Sequence, residues 1–81
     1  MEELQGVFKE MAEAWPHPIV LRDNRDLREF SFGYIRSKGT MANHDSAGRG
    51  PKSLMVGVRR AYRKEDLALW LQNRTKMLNE Q

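Results

Sequence analysis

The sequence SKGTMANHD at residues 37–45, followed by GRGP at residues 48–51, predicts a short polar helix with a tight exit. Ser37 is typical of a helix N-cap, and the glycines before the proline predict that the helix ends after about two turns. This helix has little to bury, since Met41 and Ala42 are its main apolar residues. The other side chains are short polar or basic groups, the kind that reach base edges and phosphates.

A basic hairpin is predicted downstream, with residues 54–56 as one arm, 57–59 as the turn and 60–63 as the other arm. A last helix begins at Glu65 and Asp66, where the helix dipole favours acids. Its apolar face is expected to hold Leu67, Trp70, Leu71 and Leu78, with Arg74 and Lys76 near its carboxyl end.

Upstream, apolar residues recur at helical spacing and predict an amphipathic helix near 2–14, whose face is formed by Leu4, Val7, Phe8, Met11 and Trp15. Pro16 and Pro18 end this helix. A short strand or extended entry at 19–21 and a short helix near 24–30 follow. Phe32 and Tyr34 are interpreted as core packing beneath the helix at 38–45, in preference to stacking on RNA or a single strand.

Charge is distributed unevenly along the chain, although the net charge is only +3. Residues 1–18 are acidic, whereas residues 36–64 hold eight lysines and arginines and one acid, Asp45. Such a segment is the electrostatic pattern of a surface that neutralises phosphates. A solvated basic loop with no ligand is the alternative interpretation.

Other functional classes find little support in these 81 residues, which are enough for one compact module. There is no cysteine, and His17 and His44 match no usual metal spacing, so neither a metal nor a cofactor is expected. Neither a serine elbow nor a phosphate loop is present, so we do not expect an enzyme. The amino terminus lacks the pattern of an export signal, which predicts a cytoplasmic protein without membrane contact.

Three stretches together resemble one family: Thr40–Asn43, Gly48–Pro51, and VGVRRAYRKEDLALWL at residues 56–71. They are similar to the small winged helix-turn-helix proteins of phages and mobile elements. These include the excisionase and AlpA-type regulators, related in fold to the DNA-binding domain of the mercury-resistance regulators. The resemblance spans roughly residues 20–75 and departs from the family in the hairpin. There Arg60 replaces a β-branched residue and Val58 replaces an arginine.

The resemblance implies a winged helix-turn-helix with a two-stranded wing. It says nothing about the N-terminal amphipathic helix, which follows from the periodicity of its apolar residues; together they predict an α+β, mainly helical fold. Residues 1–18 would form that helix and its proline connector, and residues 19–81 the DNA-binding domain. The helix at 38–45 would lie in the major groove and the hairpin at 54–63 would contact the backbone or minor groove. Tyr62 and Trp70 would be buried supports.

The function expected from this pattern is sequence-specific binding of double-stranded DNA at the nucleoid. The protein would act as a transcriptional regulator or as an architectural factor that directs excision of a mobile element. Expected partners are DNA, a recombinase or the transcription machinery, and a second copy through residues 2–15. The alternative is a protein-interaction adaptor that uses the N-terminal helix.

Asn43 is the residue expected to read a base, by bidentate contact to adenine, in preference to the alternative that it only caps or solvates the end of the helix. Ser37, Lys38 and Thr40 would bind phosphates at the helix amino terminus. His44 would touch a phosphate or a base, or be a solvated histidine without a role. The full predicted DNA-contacting set is Ser37, Lys38, Thr40, Met41, Asn43, His44, Arg49, Lys52, Arg59, Arg60 and Arg63.

Overall fold

The structure is a computed structural model that describes residues 2–76, with side chains from residue 5 onward. About half of the chain is helical, and the α+β class predicted from the sequence is confirmed. The elements in chain order are α1 (Glu2–Ala14), β1 (Ile19–Leu21), α2 (Asn24–Phe30), α3 (Lys38–Ser46), β2 (Leu54–Val56), β3 (Arg59–Arg63) and α4 (Lys64–Asn73).

The three strands form one antiparallel sheet in the order β1-β3-β2. Val20 lies opposite Tyr62, and Met55 lies opposite Arg60. The predicted hairpin is therefore present, with β1 as a third strand paired to β3. Gly57 has φ +63° and Val58 does not have a positive φ, which matches a type II′ two-residue turn. Arg59, predicted in the turn, instead begins β3.

Helix α1 and the rest of the chain share one hydrophobic core. Phe8 and Trp15 are buried in a cluster that includes Leu67 and Leu71 of α4. The Trp15 indole also donates a hydrogen bond to the Ile19 carbonyl at 2.8 Å, which fixes the proline connector against β1. Of the predicted apolar face, Phe8 and Trp15 are buried within the chain and Met11 is partly buried, whereas Val7 is 56% exposed. A homodimer through this helix would therefore have to use its outer residues.

The turn between α2 and α3 overturns one prediction. Phe32 and Tyr34 are 81% and 61% exposed, so their assignment to the core is wrong. Ile35 is the buried residue of this segment, and Ser31 holds it there by accepting a hydrogen bond from the Ile35 amide at 2.9 Å. Phe32 has φ +56°, a left-handed conformation that turns its ring outward after α2 ends.

Helix α4 is shorter than the sequence pattern predicted, because it ends at Asn73. Thr75 closes the end, with its hydroxyl donating to the Leu71 carbonyl at 2.7 Å and its amide to Gln72 at 3.1 Å. Lys76 therefore lies beyond the helix, and Leu78 lies outside the described residues. Arg74 places its guanidinium 4.8 Å from the centre of the Trp70 ring.

Candidate nucleic-acid interface

Helix α3 is fixed to the core by a single apolar side chain. Met41 is wholly buried, so its prediction as a DNA-contacting residue is wrong. The reason lies in the composition of the helix, in which Met41 is the one large apolar residue. It therefore anchors the helix and leaves the opposite face in solvent.

Both ends of α3 have the predicted capping residues. Ser37 occupies the N-cap position, although its hydroxyl lies near that of Thr40, at 3.4 Å, and makes no capping bond to the backbone. The side chain of Asn24 accepts a hydrogen bond from the Lys38 amide instead, at 2.8 Å. At the other end Gly48 has φ +72°, and Arg49 donates its amide to the His44 carbonyl at 2.9 Å. This arrangement is a Schellman motif, which requires glycine in the left-handed position.

Asp45 connects α3 to the sheet. One carboxylate oxygen accepts hydrogen bonds from the Arg22 guanidinium at 2.8 Å and from the Tyr62 hydroxyl at 2.7 Å. Burial, together with the neighbouring Asp45 carboxylate, raises the pKa of Tyr62. The resemblance correctly indicated that Tyr62 is buried, but sequence reasoning missed this network because its members are far apart in the chain.

Gly50 leaves room for the other oxygen of that carboxylate. A Cβ atom added at Gly50 would overlap Asp45 Oδ1, and it would also lie 3.3 Å from the Asp45 amide nitrogen. The loop after α3 therefore crosses directly over Asp45, and only glycine permits the approach. The sequence predicted a tight exit at this position but not the residue that it passes.

The outer face of α3 carries Thr40 and Asn43. Both side chains are exposed, as direct contact with a ligand requires. His44 is half-buried and contacts the Trp70 ring edge-on, with centroids 5.1 Å apart. Trp70 is itself half-buried, not wholly buried as expected, and donates its indole N–H to the Arg49 carbonyl at 2.7 Å. His44 thus has a packing role that accounts for its presence without a ligand.

A groove of about 650 Å³ lies between α3 and the tip of the hairpin. Its α3 wall is formed by Lys38, Gly39 and Ala42, and its other walls by Arg22, Asp23, Val58, Arg59 and Arg60. Of the predicted DNA-contacting residues, this groove brings together Lys38, Arg59 and Arg60. Arg59 is paired with Asp23 at 3.0 Å, and Arg60 donates to the Ser53 hydroxyl at 3.2 Å.

The other predicted basic residues lie elsewhere. Arg49 and Lys52 are exposed on the loop between α3 and β2 and do not line the groove. Arg63 is exposed at the end of β3 opposite the hairpin turn, where it pairs across the sheet with Ile19. The basic segment is therefore spread over more than one surface.

Two groove residues were missed from the sequence, Arg22 and Asp23. Asp23 had a local signal, since it precedes α2 and accepts a hydrogen bond from the Asp26 amide at 2.8 Å as an N-cap. The pairing of Asp23 with Arg59 had no signal in the sequence, because 36 residues separate the two.

Comparison of the chain with protein-family models, curated proteins and solved structures finds no significant match. Within residues 2–76 there is no helix that combines the length and hydropathy needed to cross a bilayer. Among the side chains described, those of residues 5–76, histidine, aspartate and glutamate form no group of three that would hold a metal.

Proposed function

We propose that this protein binds double-stranded DNA sequence-specifically, with α3 as the recognition helix in the major groove and the β2–β3 hairpin as a wing. The observation that carries the proposal is the shared groove. Lys38, Gly39 and Ala42 of α3 and the hairpin tip border one cleft, and a duplex lying against α3 would meet both; Thr40 and Asn43 lie on the same helix but do not line the cleft. The resemblance of residues 40–71 to excisionase and AlpA-type regulators supports a role in transcriptional control or in directing excision.

The electrostatics of Asp45 support this proposal. Asp45 is the one acid among residues 36–64, and its side chain is only 11% exposed. It is turned toward Arg22 and the Tyr62 hydroxyl, away from solvent. The segment therefore presents its cations without a competing carboxylate of its own, which favours phosphate binding; the carboxylate that does pair with one of them, Asp23 with Arg59, comes from outside the segment.

The proposed roles divide between specificity and affinity. Asn43, exposed on the outer face, reads a base edge, and Thr40 assists it or binds the adjoining phosphate. Lys38 and Arg59, on opposite walls of the groove, bind phosphates. We propose no catalytic role, and Met41 contributes only by holding α3 in place.

Selection from a random pool of duplexes, followed by mobility-shift assays at several salt concentrations, tests the proposal. We expect a preferred sequence and an affinity that falls steeply with salt. Asn43→Ala should reduce discrimination at one position by about 1–3 kcal/mol, whereas Lys38→Ala should weaken binding to all duplexes alike. Arg63→Ala, a cation outside the groove, is the matched control and should leave the salt slope unchanged. If no sequence were preferred at physiological salt, the proposal would be abandoned.

One observation keeps the alternative, a protein-interaction adaptor, in consideration. Phe32 and Val7 are 81% and 56% exposed and line a shallow apolar groove with Met11 on the outer side of α1. Removal of α1 would not test this role, because Phe8 and Ala12 of this helix belong to the core. The paired surface change Val7→Ser and Phe32→Ser is the appropriate test. Loss of a protein partner with unchanged duplex affinity would assign this role to the patch.

A further inference from the structure

Val58 is the most exposed large apolar side chain in the described part of the chain, at 93%. It occupies the second central position of the hairpin turn, directly after Gly57. Turn positions of this kind usually carry glycine, asparagine, aspartate or serine, because these residues suit both the backbone and the solvent. With so little of its surface in contact with the chain, Val58 contributes almost nothing to the core, so folding does not explain its apolar character.

The position of Val58 points to a ligand instead. It lines the groove opposite Lys38 and Ala42 and is followed along β3 by Arg59 and Arg60. An apolar tip followed by two cations is poorly suited to lie over phosphates alone, since the valine gains nothing from a charged oxygen. It suits a surface in which apolar atoms alternate with phosphates. The minor groove of DNA is such a surface, with sugar walls and base edges between two phosphate backbones.

We infer that Val58 is an apolar wedge that the hairpin tip inserts into the minor groove beside the site of α3. This inference rests on the proposed DNA-binding function and deepens it. With α3 in the major groove, the tip lies across the cleft and meets the flanking backbone, where Arg59 and Arg60 bind the phosphates on either side. Apolar side chains placed in this way partly unstack a base step and bend the duplex.

The wedge also predicts a sequence preference at a position that Asn43 does not contact. Pyrimidine–purine steps such as TA and CA unstack at the lowest energetic cost, so one of them is expected in the flank of the preferred site. The preference would arise from deformability of the duplex and not from a hydrogen bond to a base edge.

The test uses the full chain and the duplex that the wild-type protein selects, labelled at both ends for fluorescence measurement of bending. Val58→Ala should bind about tenfold more weakly, from the loss of about two buried carbons, and should bend the duplex less. Val56→Ala is the matched control, an apolar residue of the same hairpin that is 47% exposed and does not line the groove. It should change neither quantity, and both variants should fold as the wild type does.

Replacement of thymine by uracil separates the two grooves, since it removes methyl groups from the major groove only. The wedge predicts that uracil duplexes keep the tenfold effect of Val58→Ala. Equal affinity and bending for Val58→Ala and wild type would overturn the wedge while leaving sequence-specific binding intact. Disappearance of the Val58 effect on uracil duplexes would also overturn it, in favour of a thymine-methyl contact. A wild-type chain that selects no duplex would overturn both proposals.

Discussion

Gly50→Ala is expected to destabilise the protein more than any other glycine-to-alanine change in the α3 region. The added Cβ would overlap Asp45 Oδ1, and Asp45 cannot move aside without breaking its bonds to Arg22 and Tyr62. A buried hydroxyl left unsatisfied costs about 1–3 kcal/mol, and loss of a partly exposed ion pair adds up to about 1 kcal/mol. We therefore expect a loss of about 1–4 kcal/mol in the free energy of unfolding, which lowers Tm by about 5–25 °C in a domain of this size.

Two nearby glycines provide matched controls. Gly48 has φ +72° and open space where a methyl would be added, so Gly48→Ala should cost only the left-handed strain of about 1–2 kcal/mol. Gly39 lies in α3, where a Cβ would meet only the Ser37 hydroxyl at 3.7 Å, so Gly39→Ala should stabilise by about 0.5 kcal/mol. Urea unfolding followed by circular dichroism measures all three. The reasoning would be refuted if Gly50→Ala cost no more than Gly48→Ala.

A double-mutant cycle tests the assigned cause. In a Tyr62→Phe background the hydroxyl is already absent, so Gly50→Ala has one fewer bond to break there. Its cost should fall by about 1 kcal/mol relative to the cost in the wild type. If the costs of the two changes in free energy of unfolding were strictly additive, Gly50→Ala would act through the backbone alone. The bonds of Asp45 to Arg22 and Tyr62 would then not be the reason for glycine at this position.

Three further predictions concern charge, pH and backbone strain. Asp23→Asn keeps the cap of α2 but frees Arg59 from its ion pair. Duplex affinity should therefore rise about threefold, and the salt slope of binding should steepen by about one. Asp23→Ala should have the same effects on binding and should in addition lose about 1 kcal/mol of stability, because it removes the cap. Because folding raises the pKa of Tyr62, the folded state retains the phenol proton where the unfolded state loses it. The contribution of Tyr62 to the free energy of unfolding should therefore be constant up to about pH 10 and fall above it. Tyr62→Phe should lack this fall, as urea titrations of both proteins across that range would reveal. Phe32→Gly should relieve the backbone strain of φ +56° and stabilise the protein by about 1 kcal/mol, as thermal unfolding would measure. An equal gain in Phe32→Ala would contradict that explanation.

The parts of the fold that the sequence predicted are those governed by neighbouring residues. The limits of α1, α2 and α3 follow from prolines, caps and glycines within a few positions of each helix end, and the left-handed Gly48 follows from its place after Ser46. The predicted end of α4 was wrong because an apolar residue at Leu78 continued the pattern, whereas Thr75 closes the helix by bonding back to Leu71.

The parts that could not be predicted depend on which elements meet. An amphipathic α1 requires a partner for its apolar face, but periodicity alone does not distinguish α4 of the same chain from a second copy. Phe32 was assigned to the core because it is aromatic, yet the backbone conformation that ends α2 directs it outward. The groove between α3 and the hairpin likewise depends on a turn that places Val58 opposite Lys38.

Asp45 links the stability of the fold to the character of the candidate interface. As a carboxylate near the carboxyl end of the proposed recognition helix, it would oppose phosphate binding if it faced the duplex. The Tyr62 hydroxyl and the Arg22 guanidinium hold it on the inner side, and Gly50 leaves the space that this orientation needs. The same bonds fix α3 against the sheet, since Met41 alone provides its wholly buried apolar contact. A change that releases Asp45 would therefore loosen the helix and reverse part of its surface charge together, so stability and DNA affinity should fall in parallel across variants of this network.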